Sequence, residues 1–462
     1  MKALLKRTIS TWHMGESVKD IVCYWLPELI SAMILITLPP IVDSYIIANS
    51  QTATAYGALA MATNFMHTLI KFAEALPVAA IAIIGRFNGA GNYERCGEEL
   101  SNTFWTTLLL GFTQLAIISV SATAIYQWLG VPPEMAAIGA PFLRLKSFGV
   151  LLIFVSLSFI GFMRGIKNTR IPMLLNLLGI STFIFFDYAL VLGKYGFPRM
   201  DLNGSAIATI LQYGVMNIAA IAYILLNPDY KKYFKATFFS IFDFKRAWHL
   251  LNLSWPIMLD KTSFALAYVW LSKLLADMGT YAITTYDVVK NIERFAFVPA
   301  MAFAQVVTFL VSNRLGAQDP KGASSTIKKV LMLTFTAVGA CLLFACFNAE
   351  LLIGLFDPKK HYTALGAAVL PAISFLVFFD CLQVILAGAL RGAGDVKSVM
   401  WGRALSCLFF FLPVSYFLST LTIESHALRF ILIYGCHYLN AGVMGAIFFF
   451  RIMSHKWQKK EI

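Results

Sequence analysis

Four aspartates, Asp43, Asp187, Asp260 and Asp380, interrupt long apolar stretches of this 462-residue chain. An ionised carboxylate in apolar surroundings is costly unless it is paired, hydrated or neutralised by a proton. A carboxylate in such a place can therefore bind and release a proton or a small cation. Each of the four is a candidate for that chemistry.

The apolar stretches that hold these residues are long enough to cross a membrane. Hydrophobic residues make up 59% of the chain and charged residues 13%, and the mean hydropathy is +0.72. Soluble domains carry about 25% charged residues, so the composition excludes a disordered protein, a nucleic-acid-binding domain and an ordinary cytosolic enzyme. The apolar blocks reach about 20 residues, the length of a spanning helix. We predict an all-α integral membrane protein.

Hydropathy predicts about twelve spanning helices. They lie near 21–47, 55–84, 101–128, 138–163, 171–193, 204–226, 250–276, 281–312, 325–356, 363–389, 398–420 and 428–451. The longest polar connection falls near the middle of the chain. We therefore predict an N-terminal lobe over 1–227, a linker over 228–249 and a C-terminal lobe over 250–462.

The net charge of +13 is distributed as a membrane topology signal. Most lysines and arginines fall at the termini and in the loops that follow even-numbered spans. Few fall in the other loops, namely Lys194, Arg199, Lys359, Lys360 and Arg429. Because basic residues collect on the cytoplasmic side, we predict that both termini are cytoplasmic. The first residues lack the pattern of a removable signal peptide, which favours a bacterial or archaeal inner membrane.

Two motifs recur 227 residues apart. Gly89-Ala90 is repeated as Gly316-Ala317, and Arg164-Gly165 is repeated as Arg391-Gly392. Six spans per half is an even number, so the halves should be parallel repeats related by an axis along the membrane normal. Transporters built in this way bind substrate between their halves.

Several segments carry a family resemblance. They are GRFNGAGNYERC (85–96), RGIKNTRIPMLLNLLG (164–179), DYALVLGKYGFPRMDLNGSAIAT (187–209) and LQVILAGALRGAGD (382–395). In order and along most of the chain, they resemble the multidrug and toxic compound extrusion (MATE) family, with both DinF-like and NorM-like features. The resemblance implies two six-helix lobes around a V-shaped central cleft. It also implies export of organic, mostly cationic compounds in exchange for protons or sodium ions.

Asp43 follows Pro39-Pro40 by three residues in the first predicted helix. Proline removes a backbone donor and bends a helix, and the freed carbonyls beside a carboxylate can hold a cation or a shared proton. The family resemblance implies an ion-coupling aspartate at this point. The alternative is that Asp43 already lies in the outer headgroup region and is solvated there.

Asp187 lies about 24 Å along the fifth predicted helix, at a depth that Asp43 could share. Two desolvated carboxylates in one pocket can share a proton, and sodium is the other candidate occupant of that pocket. The resemblance to DinF-like members implies a polar network with Thr209 in the sixth helix. The asparagine that completes that network in the family is replaced here by Phe183.

Asp380 matches an aspartate that NorM-like members place in their tenth helix. Their partner glutamate in the seventh helix falls on Phe264 in this chain. Asp260 lies one turn earlier and can substitute for that glutamate. The alternative for Asp260 is a local ion pair with its neighbours.

Two helices carry polar stripes with helical spacing. The eighth has Asp287, Lys290, Asn291 and Arg294 on one face, with Glu293 off to the side, and the second has Lys71 and Glu74. These stripes could line the cleft and contact substrate. Equally, they could form ion pairs that stabilise lobe packing.

These features predict a secondary active efflux antiporter for amphipathic organic compounds, acting as a monomer in the lipid bilayer. The closest alternative is a flippase for a lipid-linked or polysaccharide precursor. A channel would tolerate the same buried charges, and a membrane enzyme would need a clustered catalytic constellation that the sequence lacks. We predict no cofactor beyond H+ or Na+ as coupling ion, no metal centre and no nucleic-acid partner.

Overall fold

The computed structural model describes residues 15–50, 62, 65–66, 69–128, 130, 132–234, 242–357, 361–421 and 423–460, and between 36 and 50 it describes the course of the helix alone. Every regular element in these ranges is a helix. Those of the first half are α1 Val18–Ser50, α2 Ala75–Gly89, α3 Tyr93–Trp128, α4 Pro133–Gly165, α5 Arg170–Leu192 and α6 Asp201–Leu226. Those of the second half are α7 Phe244–Ala276, α8 Thr280–Gly316, α9 Pro320–Phe347, α10 Thr363–Gly392, α11 Val396–Thr420 and α12 His426–Met453.

The predicted class, an all-α membrane protein, is confirmed. Within the described residues nine helices, α3 to α6 and α8 to α12, are long and apolar enough to cross a membrane. The boundaries differ most at the ninth predicted span, 325–356. There α9 ends at Phe347, and a short helix, Ala349–Gly354, follows. Asn348 ends α9 by donating its side-chain amide to the Phe344 carbonyl at 2.8 Å.

The chain packs as two compact units. The N-terminal unit is Leu26–Ser254, and the C-terminal unit joins Trp255–Ile462 to the described residues up to Trp25. Within the C-terminal unit, the Trp25 indole N–H donates to the Pro299 carbonyl at 3.2 Å. The same indole stacks on Phe303 with ring centroids 4.7 Å apart. The start of α1 is thus bound to α8.

The 227-residue repeat seen in the sequence recurs in the helix packing. In the N-terminal unit Gly161 of α4 lies against Pro77 of α2, where an added Cβ would be 3.1 Å from the proline Cα. In the C-terminal unit Gly388 of α10 lies against Ala304 of α8, where an added Cβ would be 2.8 Å from the carbonyl oxygen. Both residues of the second pair follow those of the first by 227 positions. Small residues let two helix backbones approach closely inside a membrane, so the repeat preserves this contact.

A 3₁₀ helix, Pro228–Tyr233, anchors the start of the predicted linker to the N-terminal unit. The Tyr230 hydroxyl accepts from the Asn168 amide at 2.8 Å, and the Tyr233 hydroxyl donates to Asn88 at 3.1 Å. Burial raises the pKa of both phenols. Both therefore act as neutral hydrogen-bonding groups.

The contact between α8 and α10 should tolerate no side chain at Gly392. An added Cβ there would overlap the Thr308 carbonyl oxygen. We expect Gly392→Ala to destabilise the protein by about 1–3 kcal/mol, the usual cost of overpacking, and to lower the midpoint of thermal unfolding in detergent. Gly214→Ala is the matched control, because this helical glycine has open space around its added Cβ. Equal midpoints for the two variants would contradict the close contact.

Candidate functional site

Asp187 and Thr209 lie on two helices that pack against each other in the N-terminal unit. Gly204 of α6 approaches Leu190 of α5, and Gly179 of α5 approaches Met216 of α6. These contacts define an antiparallel pair. Asp187 and Thr209 both fall between the two contacts, so they lie at a similar level.

Asp187 lies in the interior of the N-terminal unit. Its side chain is fully buried, with 0% exposure. One turn before it, Phe183 packs with Ile180 and Ala208, and Ile34 of α1 packs against the same cluster. The structure therefore places α1 against the α5–α6 pair. The Phe183 ring fills the place where the family pattern has an asparagine.

Thr209 uses its hydroxyl proton within its own helix. The hydroxyl donates to the Ser205 carbonyl at 3.0 Å. The methyl group packs closely on Gly149 of α4: a Cβ added to that glycine would lie 2.9 Å from the methyl carbon. Asp43, Pro39 and Pro40 lie in α1, in the part whose side chains are outside the described residues.

Asp260 of α7 forms the centre of a buried charge cluster in the C-terminal unit. One carboxylate oxygen accepts from Arg391 of α10, and the other accepts from Arg403 of α11. The Asp260 side chain is 2% exposed, and that of Arg403 is 5% exposed. Buried charges persist in a protein interior when they are paired in this way. Asp260 is thus in an ion pair, but with arginines of two distant helices and not with the neighbours in sequence that the local interpretation named.

Asp380 joins this cluster through an amide. Arg403 donates to the side-chain oxygen Oε1 of Gln383 at 3.1 Å, and the side-chain nitrogen Nε2 of Gln383 donates to Asp380 at 2.8 Å. Asp380 is 5% exposed. The structure therefore connects the two predicted second-lobe carboxylates, Asp260 and Asp380, through one arginine and one glutamine.

The N-terminal unit contains a related ion pair that the sequence analysis missed. Arg164 of α4 donates from Nε and Nη2 to the two carboxylate oxygens of Glu28 in α1, at 2.8 and 2.6 Å. Glu28 is 3% exposed. Arg164 and Arg391 are the repeated arginines, and α1 and α7 begin the two halves. The signal was a glutamate inside the first predicted span.

The polar stripes remain accessible and pair internally. Asp287 and Lys290 form an ion pair at 2.8 Å, with 57% and 34% of their side chains exposed. Lys71 and Glu74 pair at 2.8 Å, with 62% and 33% exposed. Asn291 and Arg294 are exposed as well. The stripes therefore combine both interpretations: they form ion pairs, and they present polar groups at an accessible surface.

Glu293 differs from the stripe on its own helix. It is 3% exposed and accepts hydrogen bonds from the Tyr434 and Tyr438 hydroxyls of α12. Because it lies off the polar face, it was not among the residues predicted for the site. Its presence as an acidic residue in a predicted span was the available signal. In the described part of the chain, no group of three or more His, Cys, Asp or Glu side chains could hold a metal ion.

Comparisons with known proteins match this chain to one family of transporters over both of its halves. The family model MatE matches residues 29–189 and 256–417, two segments that begin 227 positions apart. The probable multidrug resistance protein NorM of Mannheimia succiniciproducens is 23% identical over 89% of this chain and 88% of its own length. The multidrug resistance protein NorM of Vibrio cholerae is 24% identical over 81% of each chain. The crystal structure of MATE in the straight conformation superposes with a TM-score of 0.84, covering 96% of this chain and 98% of that one at 18% identity.

Removing the charge of Asp260 should destabilise the C-terminal unit strongly. Asp260→Asn would leave Arg391 and Arg403 without a counter-charge, and breaking a buried pair costs about 3–5 kcal/mol. We expect a lower midpoint of thermal unfolding in detergent. Asp277→Asn, an exposed aspartate just after α7, should unfold like the wild type. If both variants kept the wild-type midpoint, the charge cluster would not be a main source of stability.

Proposed function

This chain belongs to the MatE family, whose members are transporters rather than enzymes, and from this premise we propose that it is a multidrug efflux antiporter. It exports amphipathic organic compounds, mostly cations, in exchange for protons or sodium ions. The observation that carries the proposal is the family match over both repeated halves. The relatives named as multidrug resistance proteins, which align along more than four-fifths of the chain, support the substrate class.

We propose that both termini of this multi-pass membrane protein face the cytoplasm of a bacterial cell. The support is the concentration of lysine and arginine at the termini and in the loops after even-numbered helices. Positive charge on that side is the usual determinant of orientation. The bacterial sources of the named relatives support an inner-membrane location.

Ion coupling in the N-terminal unit is assigned to Asp43, Asp187 and Thr209. The burial of Asp187 and the packing of Ile34 of α1 against the α5–α6 pair support this assignment. A carboxylate that is held away from water binds a proton or a counter-ion in order to neutralise its charge. Such a carboxylate can therefore serve as the ion-binding group of a coupled transporter. Pro39 and Pro40 give α1 a point at which it can bend when the ion binds.

The C-terminal unit contributes a second site around Asp380. Asp260 is held by Arg391 and Arg403, so its charge is already compensated. Asp380 receives one amide hydrogen bond from Gln383, which leaves it the more available carboxylate for an ion or a substrate cation. Asp260 then acts on Asp380 through Arg403 and Gln383.

Substrate contact is assigned to the two stripes, whose members stay accessible. They are Lys71, Glu74, Asp287, Lys290, Asn291 and Arg294. Ion pairs such as Asp287–Lys290 can open to accept either charge on a substrate. This arrangement suits amphipathic compounds of varied shape and charge.

Transport of ethidium by purified protein in proteoliposomes tests this proposal. We expect an imposed pH gradient to drive ethidium movement in wild type, and Asp43→Asn to reduce the rate by about tenfold or more, as loss of coupling between two ligand sites does. A sodium gradient is applied in a parallel experiment. Asp229→Asn, an exposed aspartate in the linker, is the control.

The possible outcomes of this transport experiment separate the parts of the proposal. Movement under one gradient that fails in Asp43→Asn identifies the coupling ion and supports the assigned site. Movement that Asp43→Asn leaves intact contradicts the role of Asp43. If wild type moves no ethidium under either gradient, the multidrug proposal fails and anionic lipid-linked substrates become the next test.

A further inference from the structure

Glu293 is a buried acid whose hydrogen bonding is half complete. Tyr434 and Tyr438 both donate to its Oε2 atom, Tyr438 at 2.7 Å. Its Oε1 atom is buried and has no hydrogen-bond partner among the residues that the structure describes. Within the described residues, no lysine or arginine lies within ion-pair distance of this carboxyl. Three other buried carboxylates, Glu28, Asp260 and Asp395, each pair with an arginine, so Glu293 differs from these three.

The tyrosine hydroxyls supply hydrogen bonds to the ionised state of Glu293. The ionised carboxylate receives two O–H donors on Oε2, and hydrogen bonds to a charged form stabilise it. A proton on Oε1 would remove the charge at the atom that has no other partner, where burying a charge is most costly. Protonation at Oε1 leaves Oε2 free to keep both tyrosine hydrogen bonds.

The titratable and charged groups around Glu293 come from several helices. Asp380 of α10 lies close enough to interact with it electrostatically. The α9 residues in the surrounding core, Val338, Leu342 and Ala345, are apolar. The remaining groups are Tyr286 of α8, Tyr268 of α7, Cys381 of α10, Arg403 of α11, and Tyr434, His437 and Tyr438 of α12. Glu293 and Asp380 are the two carboxyl groups in this set.

A short path connects Glu293 to the accessible stripe on the same helix. The Lys290 ammonium lies 4.6 Å from the centre of the Tyr286 ring. The Tyr286 ring meets the edge of Tyr434 at a centroid distance of 5.1 Å, and Tyr434 donates to Glu293. The exposed pair Asp287–Lys290 is thus linked to the buried acid through two tyrosines.

We propose that the Glu293 carboxyl, positioned by Tyr434 and Tyr438, is a proton-binding site that controls the affinity of the α8 stripe for an organic cation. This inference rests on the proposed function for its substrate. When Glu293 is ionised, the two hydroxyls bind α8 to α12 and the negative charge favours a cation at the stripe. When a proton binds, the negative charge is lost and the cation is released. Tyr434 and Tyr438 are positioning residues in this scheme.

Infrared difference spectroscopy of the purified protein tests the proton site without any transport. We expect a carbonyl band of a protonated carboxyl that appears on acidification of wild type and is absent from Glu293→Gln. Tyr434→Phe and Tyr438→Phe should displace the midpoint of that titration. Glu350→Gln, an exposed glutamate, is the matched control and should keep the band. The same titration in Glu293→Gln as in wild type would overturn the proposal.

Equilibrium binding of ethidium in detergent tests the link to substrate. We expect the affinity of wild type for ethidium to rise with pH. Glu293→Gln resembles the protonated state, so at alkaline pH it should bind ethidium about tenfold more weakly than wild type, with no dependence on pH. Glu293→Asp keeps a titratable group and should keep part of the pH dependence, which separates loss of the proton site from misfolding. Unchanged pH dependence in Glu293→Gln would overturn the link. If wild type does not bind ethidium, the proposed substrate class fails, and the infrared titration decides the proton site alone.

Discussion

Charged side chains inside this protein must find their partners within the protein, because hydrocarbon supplies none. That constraint explains why Glu28 binds Arg164 with both carboxylate oxygens and why Asp260 binds two arginines. Removing one partner of a buried ion pair strongly destabilises the folded protein. These pairs therefore fix how α1 packs on α4 and how α7 packs on α10 and α11. Asp380 and Glu293 lie outside such pairs and accept hydrogen bonds from neutral donors. In the proposed mechanism these two acids, like Asp43 and Asp187, change charge.

The repeat lets the same constraint act twice. Arg164 and Arg391 occupy equivalent positions, and each binds an acid from the helix that begins its half. The glycines next to them allow the equivalent helices to approach closely. The two halves differ in detail, because the C-terminal unit adds Arg403 of α11 to the ion pair. Helix α11 also contains a π turn at Cys407–Phe411, just before Pro413. Such turns often occur at functional sites.

Hydropathy and the repeat predicted the helical class, the helices and the burial of Asp187 and Asp380, because these depend on local composition and spacing. The partners of the buried acids were harder to predict. Arg403 meets Asp260 across 143 residues, and Tyr434 meets Glu293 across 141. Such contacts depend on how each helix is rotated about its axis. When a helix is apolar on most of its faces, the spacing of its apolar residues does not determine that rotation. For that reason Asp260 kept two interpretations, and Glu293 was set aside as lying off the polar stripe.

The proposed antiport couples organic-cation movement and ion movement obligately, in opposite directions. Measuring the reverse flux tests this coupling most directly: wild-type proteoliposomes enclosing a pH-sensitive dye are given an ethidium gradient with no pH gradient. We expect a change of internal pH whose sign reverses with the direction of the ethidium gradient and which is lost in Asp43→Asn. If sodium is the coupling ion, an enclosed sodium-sensitive dye should give the same pattern. Ethidium movement with neither ion responding would contradict exchange and indicate a channel-like or uncoupled pathway.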